Sequence, residues 1–349
     1  MSKRPAMGYF DTLISDRYEG LHFVSDAASG LRGLIGLHST KLGPAIGGTR
    51  ALTTYGSEEA AVQDVLRLSR GMSYKAALAG LPHGGGKSVI ILPKGPFDRE
   101  RLFEAFGRAV HRLGGAYLPA EDSGTGPEDM AFIRRATPHV LGLAGKSGDP
   151  SPVTAFGVLR GIQAASRRVL GRGDLQGLRV TVMGVGHVGL PLCELLHAQG
   201  AKLFVSDVDA ARVKVAVERL GATALSPEAL VAQEADVYAP CALGGAINDT
   251  TLPLLKVKLV AGAANNQLAE ARLGEALANR GITYCPDYAI NAGGLINVAA
   301  EVGTYDREKA YARAALIHDT IDQVLARAKA SGLRPEQVAD KMVEETLYG

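Results

Sequence analysis

Metal-binding spacing is missing from this chain. Its three cysteines, Cys193, Cys241 and Cys285, lie far apart, with no Cys-x-x-Cys and no histidine cluster beside them. They read as reduced, buried small residues of a cytoplasmic protein, and no metal is expected. No apolar stretch nears the roughly 20 residues of a membrane span, so no membrane partner is expected. The opening Met1–Pro5 segment has no apolar run behind it, and a signal peptide is not expected. Basic residues are dispersed and the formal net charge is only +2, so charge does not imply a nucleic-acid partner. Internal repeats and low-complexity tracts are also absent.

What remains is an α/β pattern rich in glycine, with 43 in 349 residues, a length that suggests two domains. Strand and helix signals alternate through the first third. Leu31 to His38 reads as a strand, Ser57 caps a helix running to about Lys75, and Ser88 to Leu92 reads as a strand ended by Pro93. A helix from about Arg99 to Leu113 and a short strand from Ala116 to Ala120 follow. Gly142, Gly145, Gly148, Pro150 and Pro152 mark a domain boundary, giving domains at 1–148 and 149–326. A C-terminal helical segment, 327–349, is expected to return to the first domain.

Two lysines carry the chemistry of the first domain. Lys75 ends a helical pattern, and Lys87 follows Gly84-Gly85-Gly86. Three side-chain-free residues let a small ligand approach the backbone. Ammonium groups on either side suit a small anionic substrate, and each lowers the other's pKa, which is how a lysine becomes a base. The plainer reading of each is a solvated surface lysine. Glu121-Asp122-Ser123-Gly124 forms a polar loop after a strand, where α/β proteins place functional side chains. Asp122 otherwise only caps the helix starting near Pro127. The histidines beside glycine-rich stretches, His83 and His187, are expected to be solvated or supporting.

Leu178 to Met183 reads as a strand, followed by Gly184-Val185-Gly186-His187-Val188-Gly189, a helix, and a second strand from Lys202 ending at Asp207. In this dinucleotide pattern the three glycines serve the tight turn, the pyrophosphate and helix–strand packing. Asp207 is placed to bond the adenosine ribose hydroxyls. A carboxylate there repels a 2′-phosphate, which favours NAD over NADP. A P-loop reading of Gly84–Ser88 fails because Leu81 stands where a glycine is required. An esterase reading fails because no G-x-S-x-G is present.

Leu42 to Arg50, Met72 to Lys75, Gly84 to Lys87, Ala120 to Thr125, Pro150 to Thr154, Asn266 to Leu268 and Ile290 to Gly294 together resemble the amino-acid dehydrogenases of the leucine, valine and phenylalanine branch. The resemblance runs from about residue 20 to 345. It implies a mixed-sheet substrate and oligomerisation domain, a Rossmann domain and a cleft between them that closes over the substrate. It implies that Lys75 binds the substrate carboxylate, that Lys87 is the catalytic lysine, and that Asp122 exchanges protons with nitrogen and water. Gly47, Gly48 and Met72 line the substrate pocket. Thr154, Asn266 and Asn291 lie near the nicotinamide, Asn266 also near the substrate, and Gly184, Gly186, His187, Val188, Gly189 and Asp207 hold the rest of the cofactor.

Ile46 stands where glutamate enzymes of this family carry a lysine for the side-chain carboxylate. An apolar residue cannot pair that charge, so glutamate is excluded and apolar L-amino acids are expected. By resemblance Ala120 and Leu295 line the side-chain pocket, Ala120 matching the leucine type and Leu295 the phenylalanine type. The expected activity is NAD-dependent oxidative deamination of leucine, valine and isoleucine by a homo-oligomer, at least a dimer. The alternatives are a phenylalanine or tryptophan dehydrogenase, or a non-catalytic regulator that binds NAD or an amino acid.

Overall fold

The computed structural model describes residues 8–349, so the Met1–Pro5 reading lies outside the described residues. The chain divides into two compact units. The first runs to Gly148 and takes in Val298–Tyr305 and Thr346–Gly349. The second holds Asp149–Asn297 and Asp306–Glu345. Among the described residues no helix is long and apolar enough to cross a membrane.

The first unit comprises α1 (Tyr9–Ser15), β1 (Gly20–Asp26), β2 (Leu31–Ser39), β3 (Ala45–Leu52), α2 (Glu58–Leu78), β4 (Gly84–Ile91), α3 (Arg99–His111), β5 (Tyr117–Glu121) and α4 (Pro127–Ala136). Its sheet has the order β1-β2-β4-β3-β5. Pairing is antiparallel from β1 to β2 and β2 to β4, and parallel from β4 to β3 and β3 to β5. Neighbouring strand residues enter different clusters because side chains alternate between faces. Ile35 and Ile90 join Phe103, Phe106, Met130 and Ile133 of α3 and α4. Leu34 and Val89 join Ala61, Val62 and Val65 of α2. Covered on both faces, β4 is buried along nearly its whole length.

Local chemistry fixes the helix starts. Ser57 accepts a hydrogen bond from the Ala60 amide, and Glu58 and Glu59 suit the positive end of α2. That helix continues past Lys75 to Leu78. At α4 the cap is Gly126, whose amide donates to Asp129 at 2.9 Å, with Pro127 in the first turn. Asp122 is therefore not the cap of that helix.

The second unit begins with α5 (Ser151–Ala165) and a π turn (Ser166–Leu170), then β6 (Arg179–Met183), α6 (Gly189–Ala198), β7 (Lys202–Ser206), α7 (Ala210–Leu220), β8 (Thr223–Ala224), α8 (Pro227–Ala232) and β9 (Val237–Pro240). It continues through β10 (Leu259–Val260), α9 (Arg272–Asn279), β11 (Thr283–Tyr284), α10 (Asp287–Ile290), α11 (Gly293–Ala299), α12 (Arg307–Ala315), α13 (Ile317–Ser331) and α14 (Pro335–Tyr348). The sheet order is β11-β10-β9-β6-β7-β8, with every pair parallel. The strand order reverses beside β6, and in such sheets that point, at the carboxyl ends of the strands, is where a dinucleotide lies.

The C-terminal segment differs from the expected return over 327–349. Up to Glu345 it groups with the second unit. Ile317 of α13 occupies space left by Gly157 of α5, Ile290 of α10 that left by Gly161, and the Tyr288 hydroxyl donates to the Glu336 carbonyl at 3.2 Å and to Asp340 on α14. Only Thr346–Gly349 groups with the first unit. There Tyr348 stacks under the Arg17 guanidinium, 4.3 Å from the ring centre, and its hydroxyl lies 3.3 Å from His38 Nε2.

Candidate active site

The glycine run is strand, not ligand-approach loop. Gly84, Gly85 and Gly86 open β4 and are buried. What approaches them is protein: a Cβ on Gly85 would lie 1.9 Å from the Ser73 nitrogen of α2, and one on Gly86 would lie 2.8 Å from the Tyr117 ring. The absent side chains let α2 rest on the sheet backbone. From that contact each chain runs two residues to a lysine, Lys75 on α2 and Lys87 on β4.

Lys87 is buried at 6 % exposure and its ammonium donates to Asp122 Oδ2. Burial holds the Lys87 ammonium below the ordinary lysine value, against the pull of Asp122. Burial alone pushes the Asp122 carboxyl up, but Lys87 and then Arg50 outweigh it and hold the carboxyl below its usual range. Asp122 Oδ1 accepts from the Ser123 amide at 2.6 Å and the Ser123 hydroxyl at 3.3 Å. The Thr125 hydroxyl braces the turn, accepting from the Asp122 amide and donating to the Thr49 carbonyl, both at 2.9 Å.

Gly48 on β3 borders the pair directly. A Cβ there would stand 2.7 Å from Asp122 Cβ and 3.0 Å from Lys87 Nζ. Gly47 lies against the sheet instead, since its Cβ would meet the Gly86 carbonyl, and its own carbonyl accepts from the Tyr117 hydroxyl at 2.9 Å. Ile46 is two residues before Gly48, and Ala120 is its β5 register partner, so all three share one face of the sheet. Ile46 and Ala120 are buried, while Met72 and Lys75 on α2 are half-buried. His83 is buried rather than solvated, and burial lowers its pKa. Two side chains beside the pair carried no recognisable sequence signal: Arg50, whose Nε lies 3.6 Å from Asp122 Oδ2, and Asp64, which accepts from Arg50 at 2.8 Å.

In the second unit the six-residue glycine pattern joins β6 to α6. Gly184 has φ +96, and a Cβ on Gly189 would lie 1.9 Å from the Gly184 carbonyl oxygen, so the turn and the helix start both need glycine. Asp207 follows β7; its Oδ2 accepts from the Val185 amide at 2.8 Å and its Oδ1 from the Asp209 amide at 2.9 Å. The carboxylate thus braces the glycine turn and retains lone pairs for ribose hydroxyls. Gly186 and Val188 are half-buried, and His187 is exposed. Thr154 lies against Gly293 and Gly294 at the start of α11, where Leu295 is buried. Asn291 donates to the Ala263 carbonyl and to Asn265, while its Oδ1 is buried without a hydrogen-bond partner. An orphaned buried acceptor suits an amide group of a ligand. Asn266, exposed, adopts φ 52, a left-handed conformation asparagine tolerates. These residues fit a nicotinamide dinucleotide.

Comparison with known proteins agrees with this arrangement. Residues 21–139 match the family model described as Glu/Leu/Phe/Val dehydrogenase, dimerisation domain. Residues 207–331 match Glutamate/Leucine/Phenylalanine/Valine dehydrogenase. The chain is 48 % identical to leucine dehydrogenase of Bacillus cereus, across 97 % of this chain and 93 % of that one. It is 46 % identical to valine dehydrogenase of Streptomyces albus, across 95 % and 92 %. The crystal structure of L-tryptophan dehydrogenase from Nostoc punctiforme superimposes with a TM-score of 0.89 at 41 % identity, covering 97 % of this chain and 98 % of that one.

Proposed function

The chain belongs to the Glu/Leu/Phe/Val dehydrogenase family, and on that premise we propose that it catalyses the reversible NAD-dependent oxidative deamination of leucine, valine and isoleucine. The observation that carries the reading is the pairing of buried Lys87 with half-buried Asp122, bordered by Gly48. A pure binding protein has no use for a desolvated lysine joined to a carboxylate.

Lys75 holds the α-carboxylate as a fixed positive charge. Lys87, inclined by burial toward its neutral form, takes a proton at the α-nitrogen or from the attacking water. Asp122, ionised at rest, receives the Lys87 ammonium, exchanges protons with nitrogen and water, and steadies the cation that develops at nitrogen as the α-hydrogen leaves as hydride. The bound nicotinamide supplies the hydride acceptor. Water adds to the resulting iminium, and the carbinolamine collapses to the 2-oxo acid and ammonia. Ile46 and Ala120 offer no partner for a side-chain charge, which supports apolar substrates.

NAD is favoured over NADP because the Asp207 carboxylate repels a 2′-phosphate. A homo-oligomer, at least a dimer, is supported by the match of residues 21–139 to a dimerisation domain. A reducing compartment, the cytoplasm, suits Cys193, Cys241 and Cys285, all free thiols. Phenylalanine or tryptophan as the better substrate is the second reading, favoured by the likeness to the tryptophan enzyme.

The test is NADH formation with a panel of L-amino acids, NAD and NADP in parallel, for wild type and Lys87→Ala. Turnover of branched-chain substrates that falls by roughly 10²–10⁴-fold in Lys87→Ala, with NAD still bound, supports the reading. Binding of NAD with no turnover of any amino acid supports the non-catalytic regulator instead.

A further inference from the structure

Asp122 has a second cation that the lysine pair does not explain. Arg50, near the end of β3, points its Nε toward Asp122 Oδ2 at 3.6 Å, and that nitrogen is buried with no hydrogen-bond partner. The far side of the guanidinium is fixed: NH1 donates to Asp64 Oδ2 at 2.8 Å. Asp64 on α2 is itself held by the Tyr55 hydroxyl at 2.7 Å and by Arg67 at 2.9 Å. Arg50 is thus clamped from behind, with its buried, unpartnered Nε facing the oxygen that also receives Lys87.

Resting on the reading of Lys87 and Asp122 as the catalytic pair, we propose that Arg50, clamped by Asp64, is a positioning residue that holds Asp122 Oδ2 in place when Lys87 turns to the substrate. As the Lys87 contact opens, a short movement of Asp122 brings Oδ2 within hydrogen-bond reach of Arg50 Nε. The carboxylate then keeps a charged partner after Lys87 has left it. Without Arg50 the half-buried carboxylate loses that partner and takes up a proton at higher pH, and Lys87, whose pKa the Arg50 charge also lowers, stays protonated to higher pH. The ionisable groups around Asp122 are Lys87 from β4, Arg50 from β3 with Asp64 behind it from α2, and the deeply buried Tyr117 and neighbouring Glu121 from β5. Tyr117, raised by burial, stays neutral across the working range. Glu121 carries the same sign as Asp122, so among these groups Lys87 and Arg50 alone favour its ionised form.

The experiment measures kcat and KM against pH for wild type, Arg50→Gln, Arg50→Lys, Asp64→Asn and Lys87→Ala, with NAD binding followed by fluorescence. Arg50→Gln is expected to lose kcat on the order of 100-fold with NAD affinity unchanged. The acid limb of its kcat profile should move up by about one pH unit. Arg50→Lys should restore part of the rate and return the limb toward wild type. Asp64→Asn, which leaves Arg50 present but loosened, should lower kcat by less, again with NAD affinity unchanged, and it serves alone if Arg50→Gln fails to fold. A kcat unchanged in Arg50→Gln, or in Asp64→Asn where that stands alone, while Lys87→Ala is inactive, overturns this inference and leaves the catalytic pair intact. Lys87→Ala turning over like wild type overturns the reading of the pair, and this inference with it.

Discussion

Gly85 of β4 lies so close to Ser73 of α2 that a Cβ built on it would stand 1.9 Å from the serine nitrogen and 2.5 Å from its Cα. Neither neighbour is a flexible side-chain tip. Both are main chain, and neither can move aside without moving the helix.

Gly85→Ala is therefore expected to destabilise the protein by about 3 kcal/mol or more, the upper range for overpacking a filled site. Thermal unfolding measures it directly. An alanine variant that unfolds with wild type would show that α2 and β4 are not in backbone contact.

Gly48→Ala acts on chemistry as well as on stability. Its methyl would press on Asp122 Cβ at 2.7 Å, on the Glu121 carbonyl at 2.8 Å and on the end of Lys87 at 3.0 Å, so the pair is expected to part. Turnover should fall on the order of 100-fold, as for displacements of reacting groups by about an ångström. NAD binding should be unaffected. A variant with normal kcat would remove Gly48 from the border of the site.

His38 links stability to pH. It is fully buried, set edge-on to Tyr18 with ring centres 4.9 Å apart, and burial, aided by Arg70, lowers its pKa to about 4. The native state keeps the ring neutral while the unfolded chain binds a proton below about 6.5. Stability contributed by neutral His38 is thus complete above that value and is lost as pH falls toward 4, on the order of 3 kcal/mol in all. Urea unfolding at pH 7 and pH 5 should differ in wild type and differ less in His38→Gln. An identical difference in both proteins would place the acid sensitivity elsewhere.

Asp207→Ala removes at once the brace on the Val185 amide and the proposed ribose acceptor. NAD affinity is expected to fall by roughly 10- to 100-fold, consistent with a loss of 1.5–3 kcal/mol for hydrogen bonds to a charged group. NADP should lose less, so the preference narrows. Titration with both cofactors reads the ratio. An unchanged ratio would count against Asp207 as the ribose ligand.

Local signals carried the helix starts and the nucleotide turn. Ser57 with Glu58 and Glu59, and the spacing from Gly184 to Asp207, are features a chain displays before it folds, because the interacting groups are near in sequence or obey a known supersecondary unit. The glycine run was less legible. Gly84–Gly86 has no side-chain alternation to mark a strand, and its state is decided by pairing with β2 and β3. Arg50 and Asp64 were invisible as partners, since β3 and α2 meet only through the tertiary fold. The C-terminal segment was expected on the first unit. What decides its place is the room left by Gly157 and the Tyr288 hydroxyl, and neither is a property of the helices themselves.

The seat of α2 on Gly85 gives the enzyme a fixed datum. Because main chain meets main chain there, the gap between the helix of Lys75 and the strand of Lys87 is set by a backbone packing contact and not by the volume of an intervening side chain. A change of side-chain volume away from that seat leaves the spacing of the two lysine-bearing segments where the backbone sets it.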